Sequence, residues 1–142
     1  MHLPGIVLDC SEAEQTGYWS HSTWSERFVG DGYLHDGNAE KGAKSIRFTP
    51  NLPQAGKYEL RIAYSALNNR ATNTPITIYA SGGPQTVRID QRVKPPIDGL
   101  FLSLGTFRFD AAGAARIEIS NADTDGYVVV DALQIIPVPD ER

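Results

Sequence analysis

Alternation of apolar and polar residues is the main pattern along this chain, and it is clearest between Lys57 and Tyr64. There every second residue is apolar and the residues between them are mostly charged, which is typical of a strand with one buried face. The same period of two recurs over residues 45–48, 75–79, 86–90 and 115–120. Such alternation indicates antiparallel sheets that have one face on a core.

The connections between these segments support the same class of fold. Residues 81–84, Ser-Gly-Gly-Pro, supply the positive backbone angles of a hairpin turn. Between Phe101 and Phe109 the apolar phase shifts across Gly105, which predicts a β-bulge. No window has a sustained helical pattern, and 13 glycines and 9 prolines would interrupt one. We therefore predict an all-β fold without substantial helix, a jelly-roll-like antiparallel β-sandwich of about eight strands.

Length and charge narrow the class of protein. The 142 residues suffice for one domain, and we expect a single domain with a core over about residues 5–137, excised from a larger protein. The net charge is -4 and no basic run occurs, so a nucleic-acid partner is not expected. The longest uncharged apolar run, Tyr127 to Val130, is too short for a membrane span. The single cysteine, Cys10, excludes an internal disulfide.

Asp131 is the most informative carboxylate, because apolar residues flank it in a strand. An ionised carboxylate there needs an arginine, several N–H donors or a cation. Arg70 is one candidate partner, and a calcium ion shared with Asp9 or Glu14 is another. A structural hydrogen-bond network is the interpretation that we favour.

A second acidic segment, residues 121–126, begins like an EF-hand calcium loop. Its twelfth position is Ala132, where a glutamate is required, so a hairpin turn explains it better. His35 and Asp36 are adjacent in the glycine-rich stretch 30–42, but no nucleophile motif accompanies them. We predict that this stretch is a shaped connection, in which Asp36 and Asn38 bond their own backbone.

Loop-like segments carry the candidate binding residues. Exposed aromatic rings offer flat apolar faces to sugars or proteins, and planar polar side chains can bond sugar hydroxyls. The candidates for carbohydrate binding are Trp19, Trp24, Tyr33, Asn69, Arg70 and Asn73. Each tryptophan could instead plug an end of the sandwich.

Four motifs of this chain are, in order, "YLHDGNAEKGAKSIRFTPNLPQAGKYELRIAYS", "NRATNTPITIYASGG", "LSLGTFRF" and "DGYVVVDALQIIP". Together they resemble the golvesin-type domain, a family described as similar to the carbohydrate-binding domain of xanthan lyases. Tyr33, His35, Asp36 and Asn38 match the loop signature of the family, Arg70 and Asn73 match its "NRATN" segment, and Asp131 matches its last strand. A more distant resemblance, to jelly-roll carbohydrate-binding modules that begin with Glu-Ala-Glu, implies a structural calcium.

The family resemblance implies a non-catalytic accessory domain of a secreted bacterial protein, extracellular or periplasmic, with no cofactor other than that possible calcium. Two hypotheses follow for its partner. In the first, the domain binds polysaccharide. In the second, it is a structural domain that packs against a neighbouring catalytic portion, a lyase or an FAD-dependent oxidoreductase-like one. A third hypothesis, an enzyme that uses His35 and Asp36, requires a pocket that holds both side chains.

Overall fold

The computed structural model describes residues 5–23, 29, 32–110 and 115–139. In these residues regular structure consists of strands and one 3-10 turn, Cys10–Glu12, which confirms the all-β prediction. The strands are β1 (Ile6–Asp9), β2 (Glu14–Thr16), β3 (Ser20–Ser22), β4 (Tyr33–His35), β5 (Ser45–Phe48), β6 (Gly56–Ala63), β7 (Thr74–Ala80), β8 (Gly83–Ile89), β9 (Phe101–Phe109), β10 (Arg116–Ser120), β11 (Val129–Val130) and β12 (Ala132–Val138). The strands beyond the expected eight, β2, β3, β4 and β11, are two or three residues long.

The strands form two large sheets and one small one, and the ladders within them are antiparallel. The four-stranded sheet has the order β1-β12-β6-β9, and the five-stranded sheet has the order β2-β5-β10-β7-β8. The small sheet has the order β11-β4-β3. Within the described residues there is no helix long and apolar enough to cross a membrane.

Alternating apolar residues of both large sheets meet in one core, which makes the fold a sandwich. Leu60 and Ile62 of β6 lie opposite Ile135 and Leu133 of β12, and all four are buried. The five-stranded sheet adds buried residues from β5, β7 and β10 to the same cluster: Ile46, Phe48, Ile76, Ile78, Ile117 and Ile119. The hydrophobic face that the sequence predicts in each strand is therefore the face that packs.

The predicted bulge lies in β9. Leu60 of β6 pairs with Gly105 and the next residue, Arg61, pairs with Ser103, so Leu104 is the extra residue. Gly105 has φ of 113°, a backbone angle that residues with a Cβ rarely adopt.

One end of the sandwich gathers the polar loops, and we call it the loop end. β6 ends and β12 begins there, joined by a hydrogen bond from the Asp131 N–H to the Ala63 carbonyl (3.1 Å). The segments 36–44, 64–73 and 121–128 also meet there: Asp36 N–H bonds the Val128 carbonyl, and residues 70 and 127 form a parallel bridge. The small sheet lies beside these loops.

Candidate functional site at the loop end

A buried carboxylate organises the loop end. Asp36 is fully buried, and its two oxygens accept four hydrogen bonds of 2.9 to 3.0 Å, two per oxygen. The donors are the N–H groups of Asn38 and Val128, the ammonium of Lys41 and the amide of Asn121. Burial alone would raise the pKa of Asp36, but these four donors outweigh it and hold that pKa below its usual value.

Asn121, the residue directly after β10, joins the same network to the end of that strand. Its Oδ1 accepts from the N–H groups of Gly42 (2.9 Å) and Lys44 (3.2 Å), and its Nδ2 donates to Asp36 and to the Ala39 carbonyl (3.1 Å). One buried side chain thus binds the segment 36–44 to the end of β10. The segment 121–126 is a turn built around this residue, but it is not the predicted hairpin turn, because β10 pairs with β5 and β7 whereas β11 pairs with β4.

Arg70 lies at the centre of a second group. Arg70 is 5% exposed, and its guanidinium donates to the Ser65 carbonyl (2.9 Å), to Ser65 Oγ (3.0 Å) and to Asn69 Oδ1 (3.0 Å). Its Cζ lies 5.9 Å from the centre of the Tyr33 ring. Burial lowers the pKa of Arg70, although the guanidinium stays charged at any ordinary pH.

His35 and Tyr127 form the exposed side of this group. Their rings meet edge to face with centroids 5.6 Å apart, and both side chains are half-buried. The backbone of Tyr127 is fixed to the Arg70 loop, because its N–H donates to the Asn69 carbonyl (3.0 Å) and its carbonyl accepts from Ala71 (2.8 Å). Tyr33, His35, Asn69, Arg70 and Tyr127 therefore form one group, which we call the Arg70 cluster.

Glycine is required where these two loops cross. A Cβ on Gly126 would lie 2.6 Å from the carbonyl carbon and oxygen of Arg70 and 2.8 Å from the Asn69 oxygen. The Tyr127 loop could not approach the Arg70 loop so closely with a larger residue.

Two of the aromatic residues predicted to bind sugar, Trp19 and Tyr33, are not at the surface. Trp19 is 4% exposed, lies in the main core and donates from Nε1 to the Thr16 carbonyl (3.2 Å). Tyr33 is 2% exposed. No sugar could stack on either ring without displacing the residues that cover it, so we correct the stacking role given to both. Trp24 lies outside the described residues.

The two asparagines predicted to bind carbohydrate, Asn69 and Asn73, differ in their exposure. Asn69 is exposed, whereas Asn73 is half-buried and bonds the neighbouring turn, donating to the Asp123 carbonyl (2.9 Å) and accepting from Asp125 N–H (3.2 Å). Among the described residues, the large apolar side chains that are exposed are Tyr18, at 73%, and Val93, at 59%.

Asp131 is buried, but Arg70 is not its partner. Asp131 Oδ2 accepts from the N–H of Val29 (2.7 Å), and within the described residues Oδ1 accepts no hydrogen bond. Burial raises the pKa of Asp131 to about 7, and the nearby charge of Asp9 acts in the same direction. The described residues contain no group of three or more acidic, histidine or cysteine side chains able to hold a metal. Asp9, Glu14 and Asp131 thus do not form a ligand set here, and calcium binding stays an untested prediction.

The geometry does not join His35 and Asp36 into a catalytic pair. His35 Nδ1 accepts from the N–H of Gly37 (3.1 Å), while the Asp36 carboxylate is saturated by other donors. A cavity of about 240 Å³ lies at the opposite end of the sandwich, lined by residues 54–58 and 137–139, and holds neither side chain.

Sequence reasoning missed several polar residues that hold the loop end together. Lys41, Lys44 and Asn121 resemble ordinary loop residues, yet Lys44 is 5% exposed and Asn121 is fully buried. Gln91 was missed as well: its buried amide donates to the Val129 carbonyl (2.7 Å) and accepts from Val129 N–H (2.9 Å), as a neighbouring strand would. Tyr127 was missed too. The sequence signal that could have found it is its place directly after Asp125 and Gly126 in the family motif "DGYVVVDALQIIP".

Comparison with known proteins gives a consistent result. A family model described as Golvesin C-terminal domain matches residues 6–137. A xanthan lyase of Bacillus sp. (strain GL1) is 37% identical over 143 residues, which cover 96% of this chain and 15% of that protein. This chain therefore spans a small part of that relative.

Two solved structures extend the comparison to the fold. A Paenibacillus xanthan lyase matches 94% of this chain and 13% of its own, with a TM-score of 0.87 and 36% identity. A Podospora anserina GH26-CBM35 β-(1,4)-mannanase matches 96% of this chain and 28% of its own, with a TM-score of 0.69 and 20% identity. The second similarity shows the fold alone.

Proposed function

Because this chain belongs to the golvesin C-terminal domain family, we propose that it is a non-catalytic accessory module that binds polysaccharide at the Arg70 cluster. The match of the family model to residues 6–137 confirms the family resemblance inferred from the sequence. The relatives at 36 to 37% identity are xanthan lyases, which supports a polysaccharide as the partner and an extracellular or periplasmic location.

One observation supports the proposed location of the binding site. The Arg70 cluster combines a half-buried aromatic pair, His35 and Tyr127, with the exposed amide of Asn69 on a backbone fixed by hydrogen bonds. Ligand sites commonly unite an aromatic surface with a few rigidly placed polar groups. We expect weak affinity, because hydrogen bonds to a sugar replace bonds that the sugar already makes with water.

Affinity electrophoresis of the isolated domain through xanthan and through neutral glucans tests this proposal. Tyr127→Ala and Asn69→Ala should each weaken retardation about fivefold, since one lost contact is worth about 1 kcal/mol. Tyr18→Ala is the matched control, because Tyr18 is an exposed tyrosine outside the cluster, and it should leave retardation unchanged. The gels are run with and without chelator to test for calcium.

The outcomes separate function from location. Absence of retardation by every polysaccharide would contradict polysaccharide binding. Retardation that only Tyr18→Ala weakens would keep the function and move the site to the turn between β2 and β3.

A structural role is the second candidate, and the burial of Trp19 and Tyr33 favours it. In this alternative, the exposed Tyr18 and Val93 contact a neighbouring catalytic portion of the parent protein, such as a lyase or an FAD-dependent oxidoreductase-like portion. It predicts that the isolated domain stabilises that portion in thermal unfolding and that Tyr18→Ala or Val93→Ser reduces the effect.

A further inference from the structure

Arg70 is a buried positive charge for which the described part of the chain provides no opposite charge. Its hydrogen-bond partners are neutral, and no carboxylate of the described residues forms an ion pair with it. Buried charges in proteins are usually paired, since desolvating an isolated ion costs several kcal/mol or more. This arginine is therefore an unusual feature of the described structure.

The two side chains at the surface of the cluster are oriented as donors. Arg70 occupies Asn69 Oδ1, which leaves the Asn69 amide nitrogen for a ligand. The N–H of Gly37 occupies His35 Nδ1, so the proton of the neutral ring is on Nε2. Tyr127 contacts both residues and fixes their relative position.

The surroundings of His35 are positively charged in a protein whose net charge is -4. Burial lowers the pKa of His35, and the charges of Arg70 and Lys44 lower that pKa further, while Asp36 opposes them. Asp36 is already paired with Lys41 at 2.9 Å. Lys44 lies 3.7 Å from a Glu40 oxygen, so the charge beneath the surface that His35 forms for which the described residues provide no carboxylate is that of Arg70.

We propose that the polysaccharide held at the Arg70 cluster is acidic and that one of its carboxylates binds there. The His35 Nε2–H and the Asn69 amide donate to the carboxylate oxygens, and the Arg70 guanidinium below supplies the opposite charge. This inference rests on the proposed function and adds the chemical class of the ligand. Charge-assisted hydrogen bonds are about twice as strong as neutral ones, which makes a carboxylate a better occupant than a hydroxyl.

The direct test compares xanthan, an anionic polysaccharide, with the same xanthan after chemical reduction of its carboxylates to alcohols. Isothermal titration of the intact domain should show affinity at least tenfold weaker for the reduced polymer. Affinity for native xanthan should also fall as salt rises from about 50 to about 500 mM, because ions screen the attraction. Dextran sulfate serves as a probe for charge without carboxylate.

The His35→Asn substitution tests the site at the level of one atom. Asparagine Oδ1 can still accept from the Gly37 N–H, but the donor at Nε2 is lost. We expect His35→Asn to weaken binding to native xanthan five- to tenfold and binding to reduced xanthan by a smaller factor, since only the aromatic contact is then lost, and the thermal midpoint to stay within about 2 °C. His21→Asn is the matched control, because His21 is an exposed histidine on β3, outside the cluster.

Each alternative outcome has a definite meaning. Equal affinity for native and reduced xanthan would overturn the acidic ligand and leave polysaccharide binding in place. Binding to neither polymer would overturn the acidic ligand, and if no neutral glucan retards the domain either, the proposed function itself would be overturned. Dextran sulfate that binds as tightly as xanthan would overturn the assignment of a carboxylate site in favour of general charge attraction.

Discussion

Replacing Asp36 with asparagine should destabilise the domain far more than replacing an exposed aspartate does. Each Asp36 oxygen accepts two hydrogen bonds. In asparagine an NH2 group replaces one of these oxygens, and in either orientation that group would face two donors. Asparagine therefore loses two acceptor sites and also the negative charge that faces Lys41. The side chain is fully buried, so water cannot replace the lost acceptors.

The expected decrease in the free energy of unfolding follows from the loss of the two acceptor sites and of the negative charge. A buried donor left without an acceptor costs about 1 to 3 kcal/mol, and breaking a buried ion pair costs about 3 to 5 kcal/mol. We therefore expect Asp36→Asn to lower the free energy of unfolding by about 3 to 5 kcal/mol. For a domain of this size that corresponds to a fall of roughly 10 to 15 °C in the thermal midpoint.

Urea unfolding at pH 7, followed by tryptophan fluorescence, measures this difference. Asp125→Asn is the control, since Asp125 also accepts two bonds from Thr72 but is exposed, and its replacement should lower the free energy of unfolding far less than Asp36→Asn does. The lowered pKa of Asp36 gives a second test: its contribution is present above the unfolded pKa of 3.8 and is lost as the pH falls through the folded value. A loss below about 1 kcal/mol for Asp36→Asn would refute this account of the network.

Three further substitutions test other parts of the structure. Gly126→Ala should cost about 1 to 3 kcal/mol in thermal unfolding, because its Cβ would meet the Arg70 carbonyl at 2.6 Å; an unchanged midpoint would contradict this close approach. Gln91→Leu leaves the buried N–H and carbonyl of Val129 unpaired and should cost about 2 to 5 kcal/mol, whereas Gln85→Leu, at an exposed position on β8, should cost little. The raised pKa of Asp131, about 7 against 3.8, favours the protonated folded state at low pH, and that stability is lost as the pH rises to about 7. In chelator, wild type should thus lose about 2 to 3 kcal/mol relative to Asp131→Asn between pH 5 and 8, and parallel curves would contradict the raised pKa.

The β-sandwich could be predicted because the alternation of residues that specifies each long strand is local and periodic. Tyr58, Leu60 and Ile62 alternate with exposed or half-buried residues, and a period of two places them on one face whatever the rest of the chain does. The bulge at Gly105 was visible for the same reason, since a phase shift needs only neighbouring residues to be recognised. Strands β2, β3, β4 and β11 are too short to show a period, and their pairing depends on distant segments.

The candidate site could be predicted only in part, because burial of an aromatic residue in a loop is a long-range property. Trp19 and Tyr18 are adjacent and have similar surroundings in sequence, yet one is 4% and the other 73% exposed. The role of Asp36 as a loop former was foreseen, since its bond to the Asn38 N–H is local. Its bonds to Asn121 and Val128 span more than 80 residues, and no local pattern contains them.

The two polar groups at the loop end differ in a way that separates structure from binding. Asp36 and Asn121 satisfy each other and the backbone around them, which accounts for both residues by the shape of the loops alone. Arg70 differs, because its hydrogen bonds to Ser65 and Asn69 hold its own loop but bring no carboxylate of the described residues to its charge. The proposed carboxylate ligand would supply the missing opposite charge, and Asn69, which Arg70 orients, is the exposed residue through which that ligand would meet it.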